Sequence, residues 1–165
     1  AYDSLENGWY SLLKNHTLFY VPNSLDHNFN LDNIQLLIIT GGDDHPLRRL
    51  IETRLYIQCY ARKIPVLGIC HGALLINDIE EGLCDTIENH TDTTHKVRLN
   101  GSTYMVNSYH NMSITKLGND LYPIAVADDN SIEGFRHKNK FIFGCMWHPE
   151  RMDNPVFPQE LGAIL

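Results

Sequence analysis

The sequence predicts an α/β fold, a parallel sheet extended by an antiparallel meander, and three observations carry that reading. Two nearly continuous apolar runs, over residues 34–39 and 65–69, have the composition of strands covered on both faces. Each ends in a glycine-containing turn followed by a helical pattern, the order of a right-handed crossover. The second half of the chain changes to short alternating segments separated by Asn-Gly and Asp/Asn turns, which is how hairpins read.

The composition limits the function classes. The chain has 165 residues with 43% hydrophobic and 20% charged residues, ordinary values for one globular domain spanning 1–165. A net charge of -7 argues against nucleic acid as a partner, because phosphate binding needs a basic face. No apolar run approaches the roughly 20 residues of a membrane span, and no leader pattern is seen. The cysteines Cys59, Cys70, Cys84 and Cys145 are dispersed, unlike a disulfide framework. A cytoplasmic protein is therefore expected. A zinc set drawn from Cys84, His90 and His95 has no compact ligand spacing, so neither metal nor cofactor is expected.

In chain order, the opening segment over residues 4–13 is helical, with Asp3 or Ser4 as its cap and Leu5, Trp9 and Leu12 on one face. Residues 17–21 are β-branched and aromatic and stop at Pro22-Asn23, the pattern of a strand. A polar loop over 24–33 leads to the first apolar run. Residues 47–63 form the longest helix candidate, with Leu47, Leu50, Ile51 and Leu55 on its apolar face. The second apolar run follows, then a helix over 73–81. Residues 84–94 read as irregular. Residues 95–99 and 102–106 flank Asn100-Gly101 as a hairpin, residues 107–111 read as a loop exposing His110, and residues 123–127, 131–135 and 141–145 are the last three strands.

The chemistry sits at the ends of the apolar strands. Gly68-Ile69-Cys70-His71-Gly72 lies between a strand and a helix, the context of a nucleophile elbow with cysteine as nucleophile. The helix N-terminus there favours a thiolate. Gly41-Gly42, after the preceding strand, supplies backbone N–H groups suited to a developing oxyanion. The last strand runs into Trp147-His148-Pro149-Glu150. A cysteine needs a base, and the base needs an orienting acceptor on its other ring nitrogen. An extended chain held by Pro149 would place His148 and Glu150 on one side.

These segments, in this order, resemble class I glutamine amidotransferase domains, and the chain is most similar to γ-glutamyl hydrolases of the peptidase C26 type, which include γ-glutamyl-GABA hydrolases. Asp3-Ser4-Leu5 with Trp9, Val106-Asn107-Ser108 with His110, and Asn130-Ser131-Ile132-Glu133 resemble further parts of that family. The resemblance implies a flavodoxin-like, three-layer αβα fold with a mostly parallel central sheet and an appended antiparallel meander. It implies that Cys70 attacks a γ-glutamyl carbonyl, that His148 moves the proton and that Glu150 orients His148. It implies an oxyanion hole from the N–H groups of Gly42 and His71, and a γ-glutamyl thioester that water hydrolyses. Gly41 and the main chain around Asn107 and Ser108 would hold the glutamyl moiety, and His110 is placed at the pocket by its loop position.

The chain departs from the family in three places. Leu74 stands where the family carries a substrate-contacting glutamine, Tyr2 stands in place of an arginine, and a strand normally precedes the opening helix. The expectation is a chain lacking its first strand. A small-molecule γ-glutamyl substrate is expected, with a synthetase subunit or a homodimer as partner. Three functions stay open: a stand-alone γ-glutamyl hydrolase, the glutaminase subunit of a two-chain amidotransferase, and a catalytically silent binding or regulatory module.

Overall fold

The computed structural model describes residues 5–23 and 29–165. Helix α1 spans Asn7–Leu12 with Glu6 at its N-cap position, so the cap expected at Asp3 or Ser4 lies outside the described residues. Part of the loop expected over 24–33 lies outside them too. The strands are β1 (Leu37–Ile39), β2 (Val66–Ile69), β3 (Leu83–Thr86), β4 (Thr93–Leu99), β5 (Ser102–Ser108), β6 (Met112–Lys116), β7 (Leu121–Ala127), β8 (Ile132–His137) and β9 (Ile142–Cys145). Helices α2 (Pro46–Arg62) and α3 (His71–Ile79) complete the main elements.

One nine-stranded sheet runs through the described residues in the order β1-β2-β9-β8-β7-β4-β5, with β3 paired to β6 and β6 to β8. The class is α/β, with a parallel centre of β1, β2 and β9. All other pairings are antiparallel, so the extension is larger than a short meander. Three layers are evident in the packing. Ile51, Leu55, Ala73 and Ile76 from α2 and α3 meet Ile39, Val66 and Ile142 on one face. Trp9 and Leu13 meet Leu67, Ile69, Phe143 and Trp147 on the other. Successive residues of β2 and β9 thus face opposite layers, which is why these strands are apolar throughout.

Helix α2 shows how local sequence sets an element. His45 caps it, its Nδ1 accepting from the Leu47 N–H at 3.3 Å, and Pro46 takes the first turn. Lys63 closes it at φ 59, and Pro65 follows. Its buried stripe is Ile51, Leu55, Tyr56 and Cys59, whereas Leu50, expected on that stripe, is 48% exposed. At Asn100-Gly101 both residues have positive φ, 49 and 86, the geometry of a two-residue hairpin turn. Pro123 sits at an irregularity in the β7–β8 register, where a missing N–H costs least.

Three expectations need correction. Residues 17–21 form no strand, because no other strand pairs with them among the described residues. Residues 84–94 are not wholly irregular, since β3 and the start of β4 fall there, and β6 has no counterpart in the sequence reading. Residues 107–111 are not an exposing loop: Asn107 and Ser108 end β5, and both are buried with His110.

Candidate active site

The parallel register sends the carboxyl ends of β1, β2 and β9 to one edge of the sheet, so residues 40–42, 70 and 146–148 collect there. Cys70 is the first residue beyond β2 and the cap of α3, with φ 48 and ψ -102. A β-carbon-bearing residue in that region is strained and is held there by its surroundings. The surroundings are backbone on backbone. A Cβ at Gly68 would stand 2.6 Å from the Gly72 carbonyl, and one at Gly72 would stand 2.1 Å from the Ile39 carbonyl oxygen. The two glycines let α3 leave β2 at this angle. The Cys70 N–H donates to the Cys145 carbonyl at 2.8 Å, tying the elbow to the end of β9.

His148 lies three residues beyond β9, with its Nδ1 2.7 Å from Glu150 Oε1 and both side chains buried. The carboxylate accepts, so Nδ1 carries the proton and Nε2 is the basic nitrogen. The pairing does not come from an extended chain, as the sequence suggested. Pro149–Arg151 is a 3-10 turn entered from His148 at φ -110 and ψ 90, and the tight turn brings the carboxylate back to the ring. The His148 backbone is gripped twice by Asn107: its N–H donates to Oδ1 at 2.7 Å, and its carbonyl accepts from Nδ2 at 2.8 Å. Gly41 lies against the ring, where a Cβ would be 2.3 Å from Cε1. Tyr109 meets the ring edge-on at 5.6 Å.

The Gly41-Gly42 loop is held from outside. Gly42 has φ 128, and the Arg48 guanidinium donates to the carbonyls of Thr40 at 2.6 Å and Gly41 at 3.2 Å. Arg48 pairs with Glu52 at 2.8 Å, and Glu52 pairs with His71 Nε2 at 2.9 Å. One largely buried relay therefore ties the loop after β1 to the first residue of α3, and these two segments carry both candidate oxyanion donors. On the opposite side, Arg151 pairs with Glu6 and stands 4.8 Å from the centre of the Tyr109 ring. Gly8 packs so closely on the Glu150 carbonyl that a Cβ would stand 2.0 Å from its oxygen.

Burial pushes the Cys70 thiol up to about 11, outweighing the His71 N–H and the positive charge of Arg151, which both favour the thiolate. The helix N-terminus alone therefore does not hold a resting thiolate, and a base is needed to remove the proton.

The residues expected to grip substrate divide. Gly41 lies against His148. The Asn107 side chain holds the His148 backbone and the Ser108 hydroxyl donates to the His90 carbonyl at 2.5 Å, so any grip on substrate by these two belongs to their main chain, as expected from the sequence. His110 Nε2 faces Glu133 Oε2 at 3.5 Å. Leu74 is half-buried and packs on the α2–α3 side of the sheet. Cys84 does not join His90 and His95, since its thiol accepts from Asn77 at 3.6 Å in a different cluster. Sequence reasoning missed Arg48, Glu52, Tyr109 and Arg151. Only the i, i+4 spacing of Arg48 and Glu52 was a usable signal. A cavity of about 1070 Å³ runs along β1 and contains none of Cys70, His148 and Glu150.

The family described as glutamine amidotransferase class-I matches residues 3–160. The chain belongs to the class I glutamine amidotransferase family. It is 37% identical over 149 residues to the γ-glutamyl-CDP-amidate hydrolase of Campylobacter jejuni, covering 85% of this chain and 74% of that one. It is 30% identical to a subunit of the glutamine-hydrolysing GMP synthase of Picrophilus torridus, with 79% of this chain and 74% of that one covered. Among solved structures, a candidate GMP synthase subunit from Thermoplasma acidophilum superposes with a TM-score of 0.76 at 22% identity, over 95% of this chain and 84% of that one. This class I amidotransferase domain is a C–N bond hydrolase, close to the peptidase C26-like members of the family. No helix among the described residues is long and apolar enough to cross a membrane.

Proposed function

We propose that the protein is a stand-alone hydrolase of a γ-glutamyl amide, acting through Cys70, His148 and Glu150. The observation that carries this reading is the buried 2.7 Å pair of His148 and Glu150 at the edge where the strained elbow presents Cys70. In the first step His148 Nε2 takes the thiol proton as Sγ attacks the γ-carbonyl carbon. The oxyanion is met by the N–H groups of Gly42 and His71. Collapse expels the amine, which takes the proton from His148, and leaves a γ-glutamyl thioester. Water, deprotonated by the same histidine, releases glutamate and the free thiol. Gly41 and the backbone of Asn107 and Ser108 border the space for the glutamyl group. Tyr109, exposed at the rim, is placed to meet the leaving group.

The similarity to a γ-glutamyl-CDP-amidate hydrolase makes a γ-glutamyl phosphoramidate the first substrate to try. The test is glutamate release from glutamine, γ-glutamyl alkylamines and γ-glutamyl-CDP-amidate by wild type and Cys70→Ala. Release from at least one substrate is expected, falling by about 10³-fold or more in the variant. No release from any of them, together with no preferential alkylation of Cys70, would leave the silent-module reading standing. The similarity to a GMP synthase subunit favours a second reading, a glutaminase component working with a synthetase. Glutamine hydrolysis that appears only with an added synthetase would select it.

A further inference from the structure

Four side chains that the proposed hydrolysis does not use converge in the antiparallel half of the sheet. His90 comes from the segment before β4, His95 from β4, His110 from the β5–β6 connection and Glu133 from β8. His90 Nδ1 lies 3.4 Å from Glu133 Oε1, while His95 Nε2 and His110 Nε2 lie 3.3 Å and 3.5 Å from Oε2. His90, His110 and Glu133 are buried to at least nine-tenths, and one ligand atom from each lies within 4.8 Å of the others. Those histidine nitrogens and Glu133 Oε2 have no hydrogen-bond partner in this arrangement. Buried polar atoms without partners call for an explanation.

The outer nitrogens supply one. His110 Nδ1 is 2.9 Å from the Met112 carbonyl, which can only accept, so that nitrogen carries the proton and Nε2 points a lone pair inward. His90 Nε2 is 2.8 Å from Asp129 Oδ2, which leaves Nδ1 as its inward lone pair. With each ring neutral, two imidazole lone pairs face one carboxylate, acceptor against acceptor. A carbonyl or carboxylate on the outer nitrogen is the arrangement that orients metal-bound histidines. The nitrogen-to-oxygen spacings of 3.3 to 3.5 Å agree as well. Ligands about 2.0–2.1 Å from a tetrahedral centre stand about 3.3–3.4 Å apart.

We propose that His90, His110 and Glu133 bind a divalent transition-metal ion, zinc being the best match, with His95 on the same carboxylate as the fourth ligand. This departs from the expectation of no metal, and it assigns the site without Cys84. The donor set of imidazoles and one carboxylate suits zinc, and cobalt(II) as its spectroscopic substitute. His95 keeps 17% of its side chain exposed and marks the entry side. Bound there, the ion joins four separate segments. It fixes the end of β5 and the residue after it, where Asn107 and Tyr109 both touch His148, so the ion positions these residues.

The test uses untagged full-length protein, stripped with chelator and titrated with zinc or cobalt. Wild type, Cys70→Ala and the control His16→Gln are each expected to retain one zinc per chain after desalting. Their cobalt forms should give tetrahedral d–d bands with no thiolate charge-transfer band. Glu133→Gln should bind more than about 10-fold more weakly. Should that variant not fold, histidine-ring ¹⁵N NMR of wild type decides: zinc must shift the His90 Nδ1 and His110 Nε2 resonances. No stoichiometric zinc in wild type, a thiolate band, or unchanged affinity in folded Glu133→Gln each overturns the proposal.

Discussion

Cys70 is a thiol that its own surroundings make reluctant to ionise. Burial raises it to about 11 against an ordinary value of 9.0, so at neutral pH the proton stays on sulfur until a base removes it. Iodoacetamide labelling of Cys70 in the substrate-free protein should therefore climb steadily through pH 9 and 10. A labelling rate that levels off below pH 8 would contradict this reading. In the proposed reaction the demand on His148 is correspondingly heavy, and its competence rests on Glu150. Glu150→Gln keeps the shape but allows the amide to present either an acceptor or a donor to Nδ1, so the ring loses its preferred tautomer. A fall in kcat of about 10²- to 10⁴-fold is expected, with little change in KM. Steady-state kinetics on whichever γ-glutamyl substrate proves active checks it.

At the scale of elements, the site depends on two ties that never touch the reacting atoms. Asn107, at the end of β5, fixes the backbone of His148 beyond β9 by two hydrogen bonds. Asn107→Ala leaves a buried N–H and carbonyl unpaired, which costs about 1–3 kcal/mol of stability. It also frees the histidine to drift, so kcat should fall by about 10-fold or more in protein that urea titration shows to be folded. The second tie is the Arg48–Glu52–His71 relay between the loop after β1 and the start of α3. Glu52→Gln keeps the volume and removes the charge shared by Arg48 and His71. Because the relay holds both candidate oxyanion donors, the loss should fall on kcat rather than KM, by up to about 10²-fold. A change confined to KM would remove Glu52 from this role.

Taken whole, the molecule stores several thiols in places that disfavour their ionisation. Cys59 and Cys70 are both raised by burial to about 11, and Cys145 is raised further. A raised value means the folded state holds its proton more tightly than the unfolded chain. That stabilisation is complete below the ordinary thiol value of 9.0 and is lost as pH rises through about 11. The urea midpoint should accordingly drop between pH 9 and 11, and drop less in Cys59→Ala compared with its own value at pH 7. The packing around the site is equally global. The Gly8 contact with the Glu150 carbonyl joins α1 to the turn holding the carboxylate, so Gly8→Ala must push the two apart. Lower thermal stability and lower activity together are expected, whereas Gly162→Ala, with nothing within 4 Å of the new Cβ, serves as the neutral comparison.

Much of this could be read from residue order alone. Runs of apolar residues marked β1 and β2, since a strand covered on both faces needs them. The strand expected over residues 141–145 in the antiparallel meander is β9, which pairs in parallel with β2. An apolar face marked α2, and Gly68 and Gly72 marked the elbow, since no side chain fits where those backbones meet. The family was legible for the same reason: Cys70, His148 and Glu150 stand in short local patterns that backbone geometry demands. The strand expected over residues 17–21 shows the limit. Its composition suits a strand, but Phe19 is 74% exposed and no other described strand runs beside it. Strand propensity describes a fit to neighbours, and neighbours are not local.

What the tertiary structure alone decided is how distant residues share charge and hydrogen bonds. Asn107 meets His148 across 41 positions, and His71 meets Glu52 across 19. His90, His95, His110 and Glu133 converge only because β4, the β5–β6 connection and β8 come to one place in the antiparallel half of the sheet. None of these pairs has a spacing that sequence could flag, because strand order in the sheet, not separation along the chain, sets who faces whom. The elbow, the histidine and the carboxylate were written locally. The ties around them exist only once the sheet has formed.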